Sequence, residues 1–500
     1  MSTMSPVAAS NRAPGGPSAL VGRAIVGAVV LTATVLRVFR LDHQSVWYDE
    51  IFSLCVSRLS LSEMNRLLVR DLVHPPLHYY LLHYWFRLIG FGVFQARLLS
   101  AIFGVLSVIA VYALAVYLYD RRTATICACL LATSQLTVMY SQEARPYAQF
   151  LFVFLLCSYF FVRSLRDRRL VLWVYFVLTA ILLIYTHYYG FFVLLTFTLF
   201  LYVYRQRYPI TRAWILSGLI LIGLGYVPWT ASIVGELWQG GKVRRSRSNL
   251  NSRPAAEHWY TPLKILNSFN NGQPDGLLES SPWWTFLIGG ILFTLPVIPA
   301  VVAHGRERET AVFLVLASAI PIGLALLAGR IGGFYSVRYV AFCAAPYYLL
   351  VAHGISQIDR TGLRWVWLSL ILAYTAFALR TNYFAPYKED YKAALAFIAE
   401  QAQSEDCAVV AQPWEDRQAR WAWSIYESPR RDPEILPLDS LPGRTDCRRL
   451  WLISVSYRGS AVAQRQADHV RAKLKEGYTP SARRQFFWID IDLFTRFSGR

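Results

Sequence analysis

The chain has 500 residues, of which 55% are hydrophobic and only 16% charged, whereas soluble domains carry about a quarter charged residues. That excludes a string of soluble domains and points to a polytopic membrane protein. The formal net charge of +19 is scattered in short basic clusters between apolar runs, a pattern that orients membrane helices and excludes a nucleic-acid surface.

Residues 1–19 read as a tail on the inner side. Arg12 and Arg23 precede a long apolar run that lacks a small-residue cleavage site, so 20–40 reads as an uncleaved first span. A span needs roughly 20 apolar residues. Further candidates are 95–118, 122–141, 147–163, 170–187, 190–204, 212–232, 283–303, 310–328, 338–355 and 363–380, eleven in all with the first. Starting inside, the basic loops fall on one side: Asp120-Arg121-Arg122, Arg163 to Arg169, Arg205 to Arg212, Arg306-Glu307-Arg308, and Arg360 with Arg364.

That bookkeeping makes residues 42–94 one outer loop whose helices, including the stretch from His74-Pro75-Pro76-Leu77 to Gly90, lie along or dip into the interface, with a twelfth span at that stretch as the alternative. The other outer elements contain Ser141 to Tyr147, Tyr185 to Gly190, a long loop over about 233–282, and Gly332 to Tyr339. The predicted fold is mainly α: a transmembrane bundle over 20–380, followed by a small extracytoplasmic α/β domain over 381–500. In that tail, Tyr391 to Gln401 reads as a helix, and Cys407 to Val410 and Leu450 to Ser454 as strands. Cys407 and Cys447 would pair if the tail meets an oxidising compartment. The remaining cysteines, Cys55, Cys127, Cys129, Cys157 and Cys343, sit in or beside apolar segments as packing residues.

The unusual polar residues gather on the outer side. Adjacent carboxylates at Asp49 and Glu50, behind the interfacial anchors Trp47 and Tyr48, suit a general base helped by its neighbour or by a bound cation; the plainer reading is a helix cap. His74 opens a Pro-initiated helix whose N-terminus attracts phosphate, or it is simply solvated. Glu143 and Arg145 offer a second carboxylate and a phosphate-binding guanidinium, or only a loop ion pair. His187, among Tyr185, Tyr188 and Tyr189, lines a sugar pocket, ligates metal, or is structural. Arg338, between Tyr335 and Tyr339, suits a phosphate. Tyr48, Tyr147, His187 and Tyr339 are the candidate sugar or acceptor pocket.

The run Lys242 to Arg247 reads as a solvated segment or a contact to anionic head groups. A coupled transporter would carry ionisable groups at mid-depth. Arg37 and Arg97 come nearest, but near helix ends, where snorkelling suffices. The asymmetry favours an outward-facing enzyme, with a lipid-linked sugar flippase or transporter as the alternative. No P-loop or dinucleotide-binding fingerprint occurs.

The ordered set Trp47-Tyr48-Asp49-Glu50, His74-Pro75-Pro76-Leu77, Arg97-Leu98-Leu99-Ser100 with Gly104, Gln142 to Tyr147, Tyr185 to Gly190 and Arg338-Tyr339 resembles the bacterial glycosyltransferase family 39 group of the GT-C superfamily. Its relatives include protein O-mannosyltransferases and the lipid A aminoarabinose transferase. Tyr387-Lys388-Glu389-Asp390-Tyr391 resembles the start of the extracytoplasmic domain of bacterial members.

The resemblance implies inverting transfer from a polyprenyl-phosphate sugar to a lipid, glycan or protein acceptor on the outer face of the inner membrane. It also implies a multi-pass protein among membrane lipids, with no nucleic-acid partner. By the same resemblance Asp49 is the base, Glu50 its acidic neighbour and Glu143 the second acidic residue; the charge that develops on the leaving phosphate then falls, on the physical reading, to Arg145, Arg338 and His74. The aminoarabinose enzymes place a Glu-Lys pair, linked to metal and phosphate, where Val73-His74 stands here. No metal ligand set therefore carries over, no cofactor is assigned, and a divalent cation stays open.

Overall fold

A computed structural model describes residues 17–208, 212–239, 260–272, 283–302, 304–332, 335–412, 415–426, 433–438, 447–456 and 461–497. The run Lys242 to Arg247, residues 1–16 of the N-terminal tail and Gly333-Phe334 lie outside these. The first part is helical: α1 (Pro17–Val38), α2 (Tyr48–Val56), α3 (Leu61–Asp71), α4 (Leu77–Ile89), α5 (Val93–Leu118), α6 (Arg121–Thr133), α7 (Gln135–Ser141), α8 (Tyr147–Asp167), α9 (Leu170–Thr186), α10 (Gly190–Val203) and α11 (Arg212–Trp238). It continues with α12 (Thr261–Asn271), α13 (Trp283–Thr294), α14 (Val297–Val302), α15 (Gly305–Gly332), α16 (Val337–Val340), α17 (Ala344–Ser356) and α18 (Thr361–Phe384).

Eight helices among the described residues are long and apolar enough to cross a membrane, or nine if α6 and α7 form one bent span. The shorter apolar helices α9 and α10 complete the eleven segments expected from sequence. At 13 residues, α4 is about 20 Å long, short of a hydrocarbon core of about 30 Å.

The segment 122–141, expected as one straight span, bends by 58° between α6 and α7. The bend frees carbonyls at the end of α6, and Arg37 satisfies them: Nη2 donates to Leu131 O at 3.2 Å and Nη1 to Ala132 O at 3.1 Å. Its Nε donates to Ser141 Oγ at 3.2 Å. Arg37 is fully buried, as is Arg97. Neither arginine snorkels; sequence position near a helix end was the wrong guide, because internal carbonyls and a carboxylate take the place of water. Gly104 makes room for this knot. A Cβ there would lie 2.6 Å from Arg37 Nε and closer still to Ser141 Oγ.

The tail holds α19 (Tyr391–Gln401), β1 (Asp406–Val410), α20 (Asp416–Ile425), β2 (Glu434–Leu436), β3 (Arg449–Val455), α21 (Ala461–Leu474), β4 (Tyr478–Phe486) and β5 (Ile489–Arg496). The sheet order is β2-β1-β3-β5-β4. β1 runs parallel to β2 and β3, while β5 is antiparallel to β3 and β4. A disulfide joins Cys407 to Cys447.

The tail is not a free appendage. Val46, Ile51 and Cys55 share one hydrophobic cluster with Tyr391, Leu395, Ile398, Ala419, Ala422 and Trp451. Val46 N donates to Tyr426 Oη at 2.8 Å, and Lys392 N to Ser45 Oγ at 3.1 Å. Burying those apolar faces, at roughly 25 cal/mol per Å², clamps α2 between the bundle and the tail.

Candidate functional site

Asp49 and Glu50 fall in the first turn of α2, where a helix N-terminus favours carboxylates. They are next to each other in sequence but in opposite surroundings. Neither caps the helix: Trp47 occupies the N-cap position without a side-chain bond.

Glu50 is fully buried. Arg97 Nε and Nη2 each reach one of its oxygens at 2.8 Å, a bidentate pair. Ala144 N donates to Oε1 at 2.9 Å, and Lys388 Nζ to Oε2 at 2.9 Å. Arg97 spends its other donors on the carbonyls of Leu41, Gln44 and Ser45. Burial works to raise the Glu50 pKa, but Arg97 and Lys388 outweigh it and hold the carboxyl down at about 2. Such a group is a permanent anion with all its acceptor directions engaged.

Asp49 keeps an open side. Its side chain is 22% exposed, with Arg338 Nη1 at 2.9 Å from Oδ2 and Arg145 Nη2 at 3.9 Å. Arg338 also stacks over Trp47, 4.9 Å from the ring centroid.

The stretch Gln142 to Tyr147, between α7 and α8, then serves residue by residue. Gln142 Nε2 caps the carbonyls of Arg37 and Phe39 at the end of α1, at 3.1 and 2.9 Å. Glu143 faces Lys388 at 3.4 Å, with its second oxygen buried and unbonded. Burial raises the Glu143 pKa against the pull of Lys388, and Glu50 adds to the rise. Arg145 Nη1 donates to Asp49 O at 3.0 Å and Ser53 Oγ at 3.1 Å. Pro146 precedes the first residue of α8, and Tyr147 begins that helix.

Around Arg145 stands a cage of rings. His74 and His187 lie 4.9 Å apart; Tyr147 and Tyr339 are each 6.1 Å from His74, and Tyr189 is 5.0 Å from His187. Arginine can only donate, so Arg145 Nη2 at 3.3 Å makes His74 Nδ1 an acceptor and leaves the proton on Nε2. His187 Nδ1 accepts from Tyr189 N at 3.1 Å, so its proton is on Nε2 as well. Burial, and then the Arg145 charge, hold His187 down at about 3 and His74 well below its ordinary value. Both rings are neutral donors. Neither Nε2 has a partner, nor does Arg145 Nε or the Tyr147 hydroxyl.

The structure thus brings together Asp49, Glu50, His74, Glu143, Arg145, Tyr147, His187, Arg338 and Tyr339. Tyr48 stands apart, on the side facing the tail: burial and the Glu415 charge push its hydroxyl up to about 12. The divalent cation left open by sequence finds no three His, Cys, Asp or Glu side chains grouped as ligands among the described residues.

Three participants escaped the sequence reading. Lys388 carried a signal, a lysine in an aromatic and acidic stretch just after the last span. Arg97 lay in a quoted motif but was discounted as snorkelling. Asp71, pushed up to about 6 by burial and within reach of the Arg145 and Asp49 charges, carried none.

Residues 73–231 match the sequence family described as dolichyl-phosphate-mannose-protein mannosyltransferase. No curated protein matches the sequence. Among solved structures, ArnT from Cupriavidus metallidurans bound to undecaprenyl phosphate is similar with a TM-score of 0.56 at 13% identity, over 96% of this chain and 98% of that one. AglB from Archaeoglobus fulgidus, an archaeal oligosaccharyltransferase in complex with an inhibitory peptide and a dolichol-phosphate, gives 0.55 at 12%, over 92% of this chain and 73% of the other. The fold is of the GT-C type. In this GT-C fold, the matched stretch takes in His74, Glu143, Arg145, Tyr147 and His187 but not Asp49, Glu50, Arg338 or Lys388. The latter four lie outside the matched residues and rest on the geometry and, for Asp49, Glu50 and Arg338, on their sequence motifs.

Proposed function

We propose that this protein transfers a sugar from a polyprenyl-phosphate donor to a hydroxyl of a lipid, glycan or protein acceptor, with inversion, on the outer face of the inner membrane. The observation that carries it is the cage beside Asp49. Its His74 Nε2–H, His187 Nε2–H, Arg145 Nε–H and Tyr147 hydroxyl are buried donors without acceptors. A buried donor left unpaired costs about 1–3 kcal/mol, and a phosphate is rich in acceptors. The undecaprenyl and dolichol phosphates of the two similar structures agree in kind.

The donor phosphate rests against Arg145 and Arg338, with the two neutral histidines supplying N–H bonds. As the acceptor oxygen bonds to the sugar's anomeric carbon, the bond from that carbon to the phosphate oxygen breaks and its electron pair leaves on the lipid phosphate. The guanidinium charges stabilise that developing charge in a site partly shielded from water. The acceptor's proton goes to Asp49. The Arg338 bond to Asp49 is shared with the arriving phosphate, which frees the carboxylate to act as base.

Glu50 does not touch substrate in this reading. It is a positioning residue that locks α2 to Arg97, Ala144 and Lys388. Glu143 is held off the reacting atoms by Lys388. The Cys407–Cys447 disulfide in a tail packed on α2 supports an oxidising, extracytoplasmic side for the site.

The test is mass spectrometry of envelope glycolipids and glycoproteins from a deletion strain complemented with wild type, Asp49→Asn or Arg338→Gln at equal expression. The expected result is one species lacking a sugar-sized mass, restored by wild type and by neither variant. Full restoration by Asp49→Asn would sink Asp49 as the base and raise the transporter alternative in its place.

A further inference from the structure

At the end of the bundle remote from Asp49, α8, α9, α10 and α11 enclose a cavity of about 230 Å³. α8 runs 21 residues from Tyr147 at the site to Asp167 beside this cavity, roughly 30 Å at 1.5 Å per residue. The lining is apolar: Leu165, Leu194 and Ile222 with the edge-on pair Trp173 and Trp214, whose centroids are 5.7 Å apart. One charged side chain joins it, Arg168.

The charges at this end do not balance. Asp167 is taken by Arg163 at 2.8 Å, and Glu309 by Arg207 at 2.7 Å and Arg166 at 3.7 Å. Arg168, Arg169 and Arg205 are exposed and have no carboxylate partner among the described residues. Arg168 closes α8 with a left-handed backbone, φ 54°, and Arg205 follows just after Leu201 of the lining. Arg168 in the lining, Arg169 next to it in sequence and Arg205 one helical turn past Leu201 of the lining thus give one end of an apolar slot three arginines without a carboxylate partner among the described residues.

We propose that this cavity is a binding site for an anionic phospholipid of the leaflet opposite the Asp49 site. One acyl chain fills the slot between α9 and α11, and the phosphate lies against Arg168, Arg169 and Arg205. Zwitterionic lipid has the same chain to offer but no net charge to neutralise the rim. Basic pockets between membrane helices select lipid head groups in this way.

The full-length protein, solubilised and delipidated in mild detergent, is titrated with phosphatidylglycerol or phosphatidylcholine of the same acyl chains, and retention is read by native mass spectrometry. No turnover is measured, so the outcome is independent of the transferase reading. At roughly fivefold per arginine, the equivalent of about 1 kcal/mol each, wild type prefers phosphatidylglycerol by about a hundredfold. In the double variant Arg168→Asn, Arg205→Gln the preference falls to roughly fivefold by the same arithmetic; asparagine tolerates the left-handed backbone of position 168.

Gly218 gives a second handle. A Cβ there meets only the Trp173 ring, at 3.5 Å, so Gly218→Leu extends into the slot without moving backbone and lowers retention of both lipids. Equal retention of the two lipids by wild type overturns the proposal, and that comparison needs no variant. Undiminished phosphatidylglycerol retention by either variant overturns it as well.

Discussion

Lys388 and Glu50 meet at 2.9 Å although 338 positions separate them in the chain. The contact joins the first residues of the tail to the first turn of α2, and the same ammonium reaches Glu143 at 3.4 Å. One cation thus bridges a carboxylate of α2 and one of the α7–α8 connection inside a buried layer. Without it Glu50 keeps Arg97, but Glu143 loses its ion-pair partner.

Lys388→Met is therefore expected to destabilise the protein by about 3 kcal/mol, the usual scale for removing one partner of a buried pair. The double variant Lys388→Met, Glu143→Gln should recover part of that loss, because a neutral amide no longer needs a counter-ion. Thermal unfolding in detergent checks both. A double variant no more stable than Lys388→Met alone would mean that Glu143 is not what the lysine neutralises.

Gly104 and Arg37 set up a steric prediction. The Cβ of Gly104→Ala would overlap Ser141 Oγ and sit 2.6 Å from Arg37 Nε, and the buried guanidinium cannot move without giving up its bond to Ala132 O and leaving Leu131 O to Thr137 Oγ1 alone. A loss of about 1–3 kcal/mol is expected, typical of overpacking in a filled interior. Arg37→Met should cost more, since it removes every guanidinium bond and takes from Ala132 O the donor it has in Arg37. A melting point unchanged in Gly104→Ala would mean that α5 has room to shift.

Much of this architecture was legible. The apolar runs gave helices at all eleven expected segments, and the polar motifs that the threading put at one surface include His74, Asp49 and Arg338, which lie close to Arg145 or to each other. The break at Ser134 was not legible, because hydropathy continues across it; only Arg37, from another helix, makes the break affordable. Nor could sequence tell Asp49 from Glu50. Their difference is made by Arg97, Lys388 and the backbone N–H of Ala144, all distant in the chain. In the tail, the alternation Ile489-Asp490-Ile491-Asp492-Leu493 marks a strand, yet both aspartates are buried. Arg471 reaches Asp492 at 2.7 Å and Arg483 reaches Asp490 at 2.9 Å, so a pattern that suggests one wet face ends up covered.

The histidine cage fixes a pH dependence. His187 stays neutral in the folded chain down to about pH 3, while the unfolded chain takes up that proton near 6.5. Below 6.5 the unfolded state binds more protons, so stability falls with pH, by about 1.4 kcal/mol per unit and about 2 kcal/mol at pH 5 from this residue. Glu50 acts lower. Its stabilisation is complete above its ordinary value of 4.5 and is lost as pH falls toward about 2. Glu415, pushed up to about 8 by burial and then by Glu389, has the opposite sign, and it is common to wild type and variant. His187→Gln should thus shrink the drop in melting temperature between pH 7.5 and pH 5. An identical drop in both proteins would show that His187 titrates normally when folded.

The contrast between Asp49 and Glu50 gives the sharpest test of the site. Glu50→Gln removes the anion that Arg97 and Lys388 were placed to meet, so buried Arg97 loses its carboxylate, Lys388 keeps only Glu143, and about 3–5 kcal/mol of stability goes with it. Asp49 is 22% exposed and bonded to the half-open Arg338, so Asp49→Asn should leave the melting temperature nearly unchanged. Its cost falls on kcat, by about 10²–10⁴, the range for losing a general base, with KM for the donor changed much less. Glu50→Gln should instead lose folded protein while the surviving fraction keeps most of its kcat. The reverse pattern, a stable but inactive Glu50→Gln and an active Asp49→Asn, would exchange the roles of base and anchor and require the acceptor to reach Glu50 through the wall that Ala144, Arg97 and Lys388 now close.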